Sequence, residues 1–262
     1  MKTKLLVRKL ATRFPKRLAK IYHDHVGLMT GKLPEEVHKI VLCLDFDWQV
    51  LPLIKENKPD LIITHHPFIY GTKYQVFKWD KNREMLCGEI DALGVPVYSM
   101  HTNFDAGKGG MNDALTEALG LENVYMPEKE PCMPEKEPCM RIGWLKEAMP
   151  VEEFAKFAKA KLDMDYGLLI AEGPEMVKKV GIVGGGGSRD WPIARDEGCD
   201  IYISGDAPHH VRRSIVNENC NYLDLPHEVE KIFMPQMKKI LLSIDPTLEI
   251  LMVDHEELPK VI

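Results

Sequence analysis

The chemistry-bearing residues of this chain gather just past short apolar runs. Leu61-Ile62-Ile63 reads as a buried strand and leads into Thr64, His65, His66 and Pro67. Pro67 cannot donate to a ladder, so the strand stops there. Where the backbone turns, two adjacent imidazoles can converge, although a regular strand would splay them apart. A second apolar run, Val95–Met100, ends in His101-Thr102-Asn103-Phe104-Asp105. A third, Asp200–Ser204, is followed by Gly205, Asp206, His209 and His210, and a fourth, Asn221–Leu225, by Pro226, His227, Glu228 and Glu230. On a helix His227 and Glu230 share one face. Imidazole is the commonest metal ligand near neutral pH. Together His65, His66, Asp105, His227 and Glu230 exceed the protein ligands of a typical single catalytic zinc. They suit a pair of ions, with a carboxylate such as Asp105 as bridge, which lowers the pKa of bound water and offsets developing negative charge.

The elements that must position these groups follow from the same patterning. Lys39–Asp45 is a strand, Trp48–Asn57 a helix, and the run before His65 the next strand. Such a unit favours parallel pairing. Parallel strands share one carboxyl edge, where ligands gather, so His65, His66, His101 and Asp105 have a physical reason to meet. Helices are expected over 2–12 and 16–23, broken at Pro15, and over 82–94, 111–119, 150–162 and 231–242, with an edge strand near 248–253. His23-Asp24-His25 has no strand edge beside it and reads as a run of polar residues facing solvent. The glycine run Gly184–Gly187, before Ser188, has neither P-loop nor dinucleotide-binding spacing; a tight turn and an anion contact both fit it. His209 and His210 fit either polar residues at a helix start or a proton shuttle.

Net charge of −6 argues against a broad nucleic-acid surface. Apolar content of 45% and charged content of 28% are those of a soluble globular chain. No apolar run reaches membrane-span length, and no cleavable leader pattern follows the basic start. Cys43, Cys87, Cys132, Cys139, Cys199 and Cys220 form no Cys-x-x-Cys pair, which points to reduced thiols and a cytoplasmic location. Residues 126–139 repeat Met-Pro-Glu-Lys-Glu-Pro-Cys in tandem, and that proline density predicts an irregular exposed loop. The linear division is therefore an N-terminal α/β lobe over 1–125 carrying His65, His66 and Asp105, a Pro-rich loop over 126–140, and a C-terminal α/β lobe over 141–262 contributing His227 and Glu230.

Thr64-His65-His66-Pro67, His101 to Asp105, the Gly184–Ser188 loop, Tyr202 to Asp206 with His209-His210, and Pro226-His227 with Glu230 stand in a telling order. Over residues 10 to 245 the chain resembles the GTP cyclohydrolase 1 type 2 homologue family, also called the NGG-interacting-factor-like dinuclear metal proteins. The resemblance implies a two-lobed mixed-sheet α/β fold, helices flanking the sheets, and a dimetal site between the lobes at strand carboxyl ends. It further implies His65, His66, Asp105, His227 and Glu230 as ligands, His101 as near neighbour, and a ring-shaped homohexamer. The family's glutamate usually stands one position further along, where this chain has Lys231. Glu230 is therefore the chosen ligand and Glu228 the fallback. The length fits the short form of the family, and the tandem loop is not part of its pattern.

The implied activity is metal-dependent hydrolysis of GTP, with hydroxide attack on the purine ring, release of formate, and His101 or His209 moving protons. Two further readings stand beside it. One is a dimetal phosphoesterase or nucleotide hydrolase. The other is a metal-binding regulatory protein without turnover. The expected cofactor is a pair of zinc, iron or manganese ions. The expected partners are a small-molecule substrate, in the first two readings a nucleotide, and further copies of the chain, without membrane.

Overall fold

The computed structural model describes residues 1–128, 139–260 and 262; the expected tandem loop at 126–139 lies largely outside them. The described residues form strands β1 Gly27–Thr30, β2 Lys39–Cys43, β3 Leu61–Thr64, β4 Val97–Ser99, β5 Glu122–Tyr125, β6 Arg141–Pro150, β7 Leu168–Ala171, β8 Met176–Ile182, β9 Ile201–Ser204, β10 Asn221–Asp224 and β11 Glu249–Met252. The α-helices are α1 Thr3–Arg13, α2 Arg17–Lys20, α3 Leu51–Asn57, α4 Lys73–Trp79, α5 Lys81–Leu93, α6 Thr102–Ala106, α7 Met111–Ala118, α8 Val151–Lys161, α9 Trp191–Asp196, α10 His209–Asn217 and α11 Phe233–Ile244.

The chain folds into two compact units. The first holds Met1–Gly110 and Phe233–Glu256, the second Met111–Ile232 and Glu257–Ile262. The last helix and strand, which the linear reading places with residues 141–262, complete the first sheet because β11 pairs in parallel with β2.

In the first unit the sheet order is β1-β4-β3-β2-β11. Only β1 runs antiparallel, against β4. Strand β3 is parallel to both β2 and β4, with Thr64 level with Cys43 and with Ser99. The carboxyl ends of three strands therefore reach one edge at one height. Val41, Ile62 and Val97 bury against the apolar faces of α3 and α5, while α11 packs on β2. Burial on both faces explains why these strands read as continuous apolar runs rather than alternating ones.

The second sheet runs β5-β6-β8-β9-β10-β7. Its inner strands β8, β9 and β10 are parallel, with Ser204 level with Asp224. Strands β5, β6 and β7 join antiparallel. Helices α9 and α10 pack beside β9 and β10, and α8 lies against β6, β7 and β8. This unit also ends its parallel strands at one edge, where the chain supplies Gly184–Gly187, Asp206 and His227. No helix among the described residues is long and apolar enough to cross a membrane.

Candidate metal centre

The turn after β3 is fixed before any side chain is considered. The backbone amides of His65 and His66 both donate to the Leu44 carbonyl at 3.2 and 3.0 Å, and the Met100 amide donates to the Thr64 carbonyl at 2.9 Å. The Thr64 hydroxyl lies 2.7 Å from the His66 carbonyl and 2.7 Å from the Ser99 hydroxyl. These bonds tie the tips of β2, β3 and β4 together. They explain why two adjacent histidines at a strand end present both rings in one place.

His65, His66 and His101 bring one ring nitrogen each within 4.8 Å of one another. Ring centroids are 5.1 Å apart for His65 with His66, 5.1 Å for His65 with His101, and 5.5 Å for His66 with His101. Nε2 of His65 faces Oδ1 of Asp105 at 3.6 Å. Phe233 sits 5.2 Å from the His65 ring, and Phe104 packs on Phe233. This apolar floor leaves His65 wholly buried.

The opposite ring nitrogens settle the tautomers. Nδ1 of His65 is 2.9 Å from the Met100 carbonyl, which can only accept, so Nδ1 carries the proton and Nε2 the lone pair. Nδ1 of His66 meets Asp45 at 2.6 Å, and Nδ1 of His101 meets Asp24 at 2.8 Å. Burial alone would raise the pKa of Asp24, but the His101 bond and charge, with two bonds from Thr102, hold it below the usual carboxylate range. Asp45 behaves likewise: burial opposes, and His66, His65 and Arg83 outweigh it. Ionised carboxylates behind imidazoles orient metal-binding histidines and raise their basicity.

Asp24 corrects the expectation that His23-Asp24-His25 all face solvent. Its side chain is 2% exposed and crosses to the end of β4, while His23 and His25 remain exposed. No linear signal marks this, since the partner is 77 residues away. Asp45 was open to detection, because it follows β2 at the same edge as His65 and His101.

In the second unit His227 opens a 3-10 helix, His227–Ile232, rather than the expected α-helix. In a 3-10 helix residues three apart eclipse one another, which favours Glu230 over position 231. Oε2 of Glu230 lies 3.2 Å from Nε2 of His227, and Oδ2 of Asp206 lies 2.6 Å from Nδ1. With a carboxylate at each nitrogen, led by the Glu230 hydrogen bond, the His227 pKa is pushed up to about 9. Glu230 is buried, whereas Glu228 lines a hollow with Tyr166 and Arg212.

The glycine run finds its reason here. Gly185 has φ +63°, and a Cβ on it would overlap the Glu230 carboxylate. The amide of Gly184 donates to Asn112 at 2.8 Å. The turn reading of this loop holds, and its close approach is to the carboxylate of Glu230. His209 is exposed in the first turn of α10.

The donor sets suit a borderline divalent cation. Three imidazoles with a carboxylate occur in the first unit, and imidazole with carboxylate in the second. In the second set a cation at Nε2 would replace the proton now shared between His227 and Glu230.

Residues 1–259 match the family model described as Duf34/NIF3 (NGG1p interacting factor 3). The chain is 32% identical over 207 residues to a Clostridium perfringens protein named GTP cyclohydrolase 1 type 2 homolog, covering 78% of this chain and 77% of that one. It is 30% identical over 234 residues to a Lactococcus lactis protein of the same name, covering 88% of each. Its fold is that of a Bacillus cereus protein related to NIF3, with TM-score 0.86 at 21% identity over 100% of this chain and 99% of that one.

Proposed function

The chain belongs to the Duf34/NIF3 family, and on that premise we propose that it is a divalent-metal-dependent hydrolase of a small nucleotide. Its ligands are His65, His66 and Asp105 from the first unit and His227 and Glu230 from the second, holding a pair of ions per chain. The observation that carries this reading is the orientation of the imidazoles: His65, His66 and His101 each have Nδ1 engaged by an acceptor, and one nitrogen of each ring converges with the others. Core histidines that serve packing alone have no need of three such acceptors around one point.

Divalent ions in such a site supply a water activated for attack at neutral pH and a counter-charge for the oxygen that gains electrons. The residues do the rest. Asp24 fixes His101 with its proton on Nδ1, which leaves Nε2 to accept a proton from the attacking water and return it to the leaving nitrogen. Asp45 and Asp206 hold His66 and His227 in register. The floor of Phe104 and Phe233 keeps bulk water from the buried side of His65.

The names of the relatives point to GTP, and the family resemblance to opening of its purine ring with release of formate. Among the described residues Cys43, Cys87, Cys199 and Cys220 are free thiols, in keeping with a reducing, cytoplasmic setting. Assembly into a homohexamer is proposed on the family resemblance. Incubation of zinc-, iron- or manganese-loaded protein with GTP tests the reaction. Formate with all three phosphates retained supports it. Phosphate release without formate moves the chain to the phosphoesterase reading, and no product from any nucleotide triphosphate contradicts turnover.

A further inference from the structure

Resting on that reading, we propose that Tyr70 is the substrate-binding residue beside the His65, His66 and His101 cluster, with its exposed ring face stacking on a planar nitrogen heterocycle of purine type. The chain from Phe68 to Ile69 is buried, and Tyr70 then emerges with 57% exposure before Gly71 turns the backbone at φ +121°. An exposed aromatic is ordinary when it stands loose. This one is held at several points. Its ring lies edge-on to His101, with centroids 6.3 Å apart and planes at 75°, and edge-on to His25 at 6.3 Å and 67°. Burial and the charge of Asp24 raise the pKa of the Tyr70 hydroxyl, and that carboxylate also accepts from Nδ1 of His101.

Tyr70 is therefore fixed against the cluster without being covered by it. A rigid aromatic face offers contact area at little cost in side-chain entropy. A ring lying on that face would come beside the His101 imidazole, next to the point where the three ring nitrogens meet. The ligand class follows from the shape. A planar π-system gains from stacking on such a face, and a phosphate chain presents no face to stack. Stacking tolerates any base, so Tyr70 holds the ring in place, and discrimination among bases belongs to other groups.

The test is calorimetric titration of zinc-loaded full chain with GTP and, separately, with inorganic tripolyphosphate, which has the phosphates and no ring. Wild type is expected to bind GTP more tightly. Tyr70→Ala should weaken GTP about tenfold and leave tripolyphosphate unchanged. Tyr70→Phe, which keeps the ring and loses only the hydroxyl, should retain most of the GTP affinity. Equal GTP affinity in wild type and Tyr70→Ala overturns the proposal, as does wild type binding tripolyphosphate as tightly as GTP. Zinc content measured on the same samples separates the two claims. A chain that holds no zinc contradicts the metal reading, while GTP affinity that still depends on Tyr70 would uphold the stacking.

Discussion

Oδ2 of Asp24 accepts from Nδ1 of His101 at 2.8 Å and from the Thr102 hydroxyl at 2.7 Å, so one buried carboxylate sets both the tautomer of a site histidine and the start of the helix that carries Asp105. The first unit's centre is thus organised from the segment preceding β1 as much as from the strand ends.

Asp24→Asn keeps the shape and removes the charge. An amide cannot accept equally from three donors, so His101 loses its fixed tautomer. Formate production from GTP by the metal-loaded protein should fall about 100-fold or more. The loss of buried bonds should cost about 1–3 kcal/mol in urea unfolding. Unchanged formate production would make Asp24 a structural residue only.

Gly185→Ala should be far more damaging than Gly198→Ala. Both glycines have positive φ, +63° and +70°, but a Cβ at Gly198 meets open space, whereas at Gly185 it overlaps the Glu230 carboxylate. Gly198→Ala should cost about 1 kcal/mol of unfolding free energy from backbone strain alone. Gly185→Ala should cost more than that and also lower the metal content. Equal effects of the two substitutions would argue that the loop does not press on Glu230.

Much of this was legible in the sequence, for a physical reason. Strands buried on both faces must be apolar throughout, so the polar residues after Thr64, Ser99, Ser204 and Asp224 stand out as the chain leaves the sheet. What was not legible depends on distant pairing. Asp24 finds His101 only once β1 has paired with β4. Ile250 and Leu251 read as a strand in either sheet, and nothing local says that β11 joins β2. The 3-10 geometry of His227–Ile232 was hidden as well, since the same residues suit an α-helix. This geometry sets Glu230 beside His227, as the ligand role proposed for Glu230 requires.

Glu230→Gln and Glu228→Gln should separate ligand from neighbour. The first removes the carboxylate 3.2 Å from Nε2 of His227 and should lower the number of bound ions per chain. The second should leave the metal content unchanged. The reverse result in a metal assay would reassign the ligand to Glu228.

The raised His227 pKa of about 9 in the metal-free protein has a definite sign. A histidine raised above its unfolded value contributes stability that is fully present below about pH 6.5 and is lost as pH rises through about 9. Wild-type metal-free protein should therefore lose melting temperature between these values relative to His227→Gln. Zinc binding at pH 7 must also expel this proton, so proton release seen by calorimetry in paired buffers should fade above about pH 9. A flat profile would mean that His227 does not hold the proton between Asp206 and Glu230.

The most direct measurement is divalent metal content per chain, by elemental mass spectrometry, on untagged protein prepared without chelator, beside Asp105→Ala. About two ions per chain in wild type, falling sharply in the variant, is the expected result. No metal in wild type, and none taken up on addition of zinc, iron or manganese, would contradict the metal centre and leave these histidines as structural groups.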